Sequence, residues 1–142
     1  MKPTTGSIQK PVFVYGTLRA GQGNYHHILL GTTSNERPAV LHGHTLLGLG
    51  VPFATPRDGK IVVGEVMDVR PELWAGVLRR LDYLEGYQGP GRDNTYVREV
   101  REVVLDEGGT VEAYVYLAGS MGPWIDGAPE VPGGDWVAAW KR

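Results

Sequence analysis

A chain of 142 residues with 42% apolar and 21% charged side chains has the size and balance of one globular domain, able to hold a core without a metal or disulfide staple. Its net charge of −2 with no basic run argues against a nucleic-acid partner. No stretch reaches the roughly 18 apolar residues of a membrane span, and the start lacks a secretory apolar stretch, which leaves the cytoplasm as the expected location. The lack of cysteine excludes a disulfide scaffold, a thiol nucleophile and a cysteine-based zinc or iron–sulfur site.

Residues 1–10 read as a loose tail before a single domain over 11–142, and the 21 glycines and 10 prolines predict many tight turns around short strands. Val12-Phe13-Val14-Tyr15 is a β-rich apolar run that Gly16 ends. Residues 17–24 form a glycine-bearing loop, and Asn24 is positioned to cap a short helix that reaches Leu30 and stops at Gly31. Residues 39–49 predict a strand, Pro52 and Pro56 bracket a short extended piece, and Ile61 to Val69 predict another strand. Pro71 to Glu85 is the strongest helix, with proline in its first turn and Gly86 just past its end. Tyr96 to Leu105 and Thr110 to Leu117 are strands joined by Asp106-Glu107-Gly108-Gly109, a hairpin signal. Alternation turns Val111, Ala113, Val115 and Leu117 to one side of the second strand and Glu112, Tyr114 and Tyr116 to the other. Residues 118–135 are loop-rich, and Trp136 to Trp140 close the chain.

One side chain breaks the pattern of its helix. At 100° per residue from Leu73, the residues Leu84, Val77, Leu81, Trp74 and Leu78 fall at about 20°, 40°, 80°, 100° and 140°, one apolar arc facing a core. Glu85 falls at about 120°, inside that arc, whereas Glu72, Arg79, Asp82 and Tyr83 fall outside it. Glu85 also occupies the last turn, where the helix dipole disfavours negative charge. Burial and a negative helix end both raise a carboxyl pKa, and a base poised near neutral pH suits general acid–base work. The competing reading is a frayed helix end from which Glu85 bends into water.

The loop Tyr15-Gly16-Thr17-Leu18-Arg19 follows the first strand, where successive backbone N–H groups can cradle a carboxylate or an oxyanion. It is not a phosphate loop, since no Lys-Ser/Thr pair follows its glycines. Arg19 is open to two readings, a partner for an anionic substrate group or a solvated loop arginine. His26, His27, His42 and His44 do not form a converging set of the three or four ligands that zinc needs. Asp82, beside the apolar arc, reads as structural, capping or pairing with an arginine. Ser7 and Ser34 lack the context of a catalytic triad, and Trp74, Trp124, Trp136 and Trp140 read as packing residues.

Together these segments resemble the gamma-glutamylcyclotransferase-like family. The resemblance begins at Val12 to Gly21 with Asn24 following, continues through Val63-Gly64-Glu65-Val66 and Leu81-Asp82-Tyr83-Leu84-Glu85-Gly86-Tyr87, and resumes at Tyr96-Val97-Arg98 and Ala113-Tyr114-Val115-Tyr116. It closes at Gly133-Gly134-Asp135-Trp136, so it spans about residues 12–138 in the right order. The resemblance implies an α+β fold, a small mixed and mostly antiparallel β-barrel with a few packed helices. It implies a cavity closed by the first loop, a catalytic glutamate at Glu85, and the backbone of Gly16, Thr17 and Leu18 holding a glutamyl moiety. Tyr15, Tyr96 and Tyr116 are candidates for lining that cavity, and Arg19 is a candidate for binding the substrate. The implied reaction is release of 5-oxoproline from a γ-glutamyl amine or peptide, with no cofactor and no metal. The rival reading is a binding or interaction module that kept the barrel and lost turnover. Loops at 50–58, 86–95 and 118–133 are expected to set the depth of the pocket.

Overall fold

The computed structural model describes residues 9–48, 50–120 and 127–140; most of the expected tail, Ser7 and Trp124 lie outside this range. Five strands close into a barrel in the spatial order β1–β3–β2–β4–β5. They are β1 (Val12–Val14), β2 (Thr33–Gly48), β3 (Pro52–Val69), β4 (Tyr96–Leu105) and β5 (Thr110–Ala118). β1 pairs antiparallel with β3 and parallel with β5, and the other ladders are antiparallel, so the barrel is mixed. No helix among the described residues is long and apolar enough to cross a membrane.

The β4–β5 hairpin follows its turn signal, with Gly108 and Gly109 at φ of 115° and 84° and the Gly108 N–H donating to the Leu105 carbonyl at 2.9 Å. β2 and β3 correct the expectation of three short pieces, because they form one long ladder from Thr33↔Val69 to Gly48↔Pro52. The prolines misled because two of them sit where a strand tolerates a missing N–H: Pro52 starts its strand, and Pro56 pairs with His44 beside a break in register. Between His42↔Ile61 and His44↔Pro56, residues 57–60 leave the ladder as an exposed bulge.

Strand parity sorts the core into two clusters. Phe13, Val62, Val66, Ala113, Val115 and Leu117 belong to the barrel interior, whereas Val12, Val14, Met67, Tyr96 and Tyr116 pack with Val77 and Leu81 of the helix. β1 is buried on both faces, with Val12, Phe13 and Val14 at 1–2% exposure. It can lie this close to β3 because Gly64 has no side chain: a Cβ there would sit 2.2 Å from the Val14 carbonyl oxygen and 2.7 Å from the Phe13 ring. Of the expected tail, Gln9 and Lys10 are tied to the barrel; the Gln9 amide donates to the Val69 carbonyl, and the Lys10 carbonyl accepts from the Trp74 indole at 3.0 Å.

The main helix begins as a 3-10 turn at Pro71–Leu73 and continues as α1 (Trp74–Glu85), burying Val77, Leu78 and Leu81. Leu84, within the expected core arc, is 40% exposed instead. The short helix after the first loop is a single π-helical turn, Tyr25–Leu29, and Asn24 does not cap it. The Asn24 amide instead donates to Thr17 Oγ1 at 2.7 Å and braces the loop. Tyr25 ties the turn to β2 by donating to Glu36 at 2.6 Å, and that bond pushes its hydroxyl pKa up to about 12. A last helix, α2 (Trp136–Trp140), follows a 3-10 turn, with Trp136 buried as expected.

Candidate active site

The end of α1 is fixed by backbone geometry. Gly86 takes the left-handed conformation at φ 70°, its N–H returning to the Tyr83 carbonyl and that of Tyr87 to the Asp82 carbonyl. A side chain at 86 would also meet Thr95 Oγ1 at 2.9 Å. Glu85 is therefore the last helical residue, at the negative end of the helix dipole. It lines a cavity of about 190 Å³ together with Tyr15, Gly16, Thr17, Leu18, Tyr96 and Tyr116. These residues come from four places in the sequence: the end of β1 and its loop, the end of α1, the start of β4 and the end of β5.

The tyrosine walls are held by their own protons. Tyr15 donates its hydroxyl to the Tyr116 carbonyl at 2.5 Å, and Tyr96 donates to the Pro52 carbonyl at 2.7 Å while its ring stacks on Phe53 at 4.5 Å. Tyr116 donates to Asp82 Oδ1 at 2.6 Å. With their protons committed, the hydroxyl oxygens of Tyr96 and Tyr116 retain acceptor capacity, while that of Tyr15 already accepts from the Ala54 N–H at 3.4 Å. Burial raises the pKa of all three, and the Glu85 carboxylate raises each further, so the phenols stay neutral across the physiological range.

Glu85 differs from its neighbours because no side chain among the described residues pairs with its carboxyl. Burial, uncompensated, pushes its pKa from 4.5 to about 7. Asp82, one residue-turn away on the helix surface, shows the opposite arrangement. Arg98 clamps it through Nε at 2.9 Å and Nη2 at 3.2 Å, and the guanidinium lies 5.1 Å and 4.9 Å from the Tyr87 and Tyr114 ring centres. Of two carboxylates three residues apart, one is saturated and structural, and the other is left with a titratable proton inside a cavity.

The first loop supplies backbone. Gly16, Thr17 and Leu18 line the cavity, and their N–H groups have no hydrogen-bond acceptor among the described residues. Gly16 packs tightly, since a Cβ there would fall 2.8 Å from Pro52 Cγ. Arg19 is not brought into the cavity. Its guanidinium binds Glu65 at 3.2 Å and Asp135 at 2.9 Å, while the Ala20 N–H donates to Glu65 at 2.8 Å. These bonds anchor the loop to β3 and to the start of α2.

Sequence reasoning did not single out Val51, Pro52, Phe53, Leu84 and Thr95 as cavity residues. Val51, Pro52 and Phe53 belong to the expected 50–58 loop and Thr95 to the 86–95 loop, whereas no described residue of 118–133 lines the cavity. The 86–95 loop is pinned by buried Asn94, which accepts from the Gln88 N–H at 2.7 Å and donates to the Gly89 carbonyl at 2.9 Å. The described residues contain no group of three or more His, Cys, Asp or Glu able to hold a metal ion.

Comparison with known proteins converges on this site-bearing region. The family described as Gamma-glutamyl cyclotransferase, AIG2-like, matches residues 12–138. The Gamma-L-glutamyl-butirosin B gamma-glutamyl cyclotransferase of Niallia circulans is 32% identical over 117 residues, covering 82% of this chain and 72% of that protein. Gamma-glutamylaminecyclotransferase A of Danio rerio is 27% identical over 126 residues, covering 81% and 73%. The crystal structure of an AIG2-like protein from Mus musculus superposes with a TM-score of 0.61 at 25% identity, covering 85% of this chain and 84% of the other.

Proposed function

We propose, from the premise that this chain belongs to the Gamma-glutamyl cyclotransferase, AIG2-like family and is an enzyme of that kind, that it releases 5-oxoproline from a γ-glutamyl amine or peptide with Glu85 as general acid and base. The single observation carrying the assignment of Glu85 is its unpaired carboxyl, which faces the cavity with a pKa near 7. Such a group accepts and returns a proton at neutral pH without a large energetic penalty in either direction.

A γ-glutamyl compound contains its own nucleophile, the α-amine, which closes a five-membered ring when it bonds to the side-chain carbonyl carbon. A small cavity that folds the glutamyl unit onto itself exploits the high effective molarity of an intramolecular attack. The amine nitrogen bonds to the carbonyl carbon as Glu85 takes one of its protons. The same proton then passes to the departing nitrogen as the amide C–N bond breaks, leaving 5-oxoproline and a free amine. The lone pairs of Tyr96 and Tyr116 suit the glutamyl amine, and the N–H groups of the 16–18 loop, without an acceptor among the described residues, suit the glutamyl carboxylate or the developing oxyanion.

The test is direct: the purified chain is incubated with γ-glutamyl amines and dipeptides and assayed for 5-oxoproline. Release by the wild-type chain, abolished in Glu85→Gln, is the expected outcome. Near-normal turnover by that variant would remove Glu85 from the mechanism, and silence of the folded wild-type chain across the panel would favour a binding module.

A further inference from the structure

The cavity is smaller than the roughly 300–1,000 Å³ of sites that enclose drug-sized ligands, so a γ-glutamyl substrate keeps its glutamyl end inside and its leaving amine outside. A second groove begins where the cavity ends. It shares Asn24 and Leu84 with the cavity and continues over His27, Arg79, Arg80 and Tyr83. This continuity accounts for Leu84, whose place in the apolar arc predicts burial and whose 40% exposure puts it on the rim between the two.

The groove is cationic. Among the described residues it is lined by two guanidinium groups and by no carboxylate. Asp82, the acidic residue nearest in sequence, is occupied by Arg98 and Tyr116. Arg80 is held in place, its Nη2 donating to the His27 carbonyl at 2.6 Å, and its other N–H donors have no partner among the described residues. Arg79 has no hydrogen-bonding or ion-pair partner among the described residues. Tyr83, 90% exposed, adds a hydroxyl and an aromatic face at the same rim.

We infer that Arg79 and Arg80 form a leaving-group subsite selecting γ-glutamyl substrates whose departing amine carries an anionic group, such as the carboxylate of an amino acid or the phosphate of a phosphorylated amine. The inference rests on the cyclotransferase reading and adds the charge class of the leaving group. Planar guanidinium groups suit either anion, because both offer paired oxygen acceptors. The effect is moderate, since both arginines are exposed and water screens them.

The test uses γ-glutamyl amides of 4-aminobutyrate, n-butylamine and 1,4-diaminobutane, which share a four-carbon chain and end in an anionic, a neutral and a cationic group. A phosphoethanolamine amide distinguishes phosphate from carboxylate. kcat/KM for the anionic amide is expected to exceed that for the cationic one by about tenfold, mainly through KM, as two exposed ion pairs provide. The advantage is expected to shrink from 50 mM to 500 mM salt. Arg79→Glu/Arg80→Glu is expected to reverse the order. If that variant does not fold, Arg79→Ala alone and the salt dependence of the wild-type preference decide the matter. Equal rates for the three charge types, or a preference for the cationic amide, would overturn the subsite and leave the cyclotransferase reading standing. No 5-oxoproline from any amide would instead overturn the reading beneath it.

Discussion

Replacing Glu85 with glutamine is expected to inactivate the protein and to stabilise it, with a pH signature that ties the two effects to one proton. The Glu85 carboxyl titrates near 7 in the folded chain against an ordinary 4.5, because burial disfavours its charged form. The folded state thus holds this proton more tightly than the unfolded chain. Its contribution to stability is full below pH 4.5 and is lost as pH rises through 7. At 1.36 kcal/mol per pH unit, the interval between 4.5 and about 7 amounts to about 3 kcal/mol at pH 8, and to under about 1 kcal/mol at pH 5. The glutamine variant lacks this dependence. Its stability advantage over wild type should grow by about 2–3 kcal/mol between pH 5 and pH 8, or about 10 °C in Tm for a chain of this length. Melting curves of both proteins at pH 5, 6, 7 and 8 measure it. In the parallel assay, turnover of the variant falls by about 10²–10⁴, and wild-type kcat/KM rises through a step near pH 7 as Glu85 loses its proton. Parallel pH dependence of stability in the two proteins would refute the claim that a half-buried carboxyl, unpaired among the described residues, is the source of the shift.

Two further substitutions probe how the site is held. Asp82→Asn removes the charge that Arg98 grips and weakens the acceptor of the Tyr116 hydroxyl. It should cost about 1–3 kcal/mol in urea unfolding and raise KM by loosening one cavity wall, and an unchanged midpoint would contradict the structural role given to Asp82. Gly64→Ala places a methyl group 2.2 Å from the Val14 carbonyl, so it should cost about 3 kcal/mol or more, whereas Gly23→Ala, with nothing within 4 Å, should leave Tm nearly unchanged.

The order of the elements was legible in the chain because their signals are local. The Gly108-Gly109 turn and the Pro71 and Gly86 ends of the helix each depend on backbone conformations that only certain residues adopt easily. Glu85 stood out because the helical period set a carboxylate among leucines. What remained hidden was non-local. Nothing near Arg19 in sequence announces Glu65 or Asp135, 46 and 116 residues away. Nothing near Tyr96 announces the Pro52 carbonyl that holds its hydroxyl. The length of β2 was also obscured, because its first residues, through Pro38, are polar on an exposed face and carry no apolar alternation.

The barrel is closed by β1, whose Val12 and Phe13 pair with β5 across about a hundred positions of chain, as the Tyr15–Tyr116 hydrogen bond does. Both hairpins can form from neighbours in sequence, but this seam has to wait for the two halves of the molecule to meet. The cavity beside Glu85 straddles the seam, with Tyr15 and its loop on one side and Tyr116 on the other. Completion of the cavity is therefore a late-arriving property of the chain. During refolding, 5-oxoproline release should lag behind recovery of strand signal, and it would report completion of the last join more faithfully than any spectroscopic measure of secondary structure.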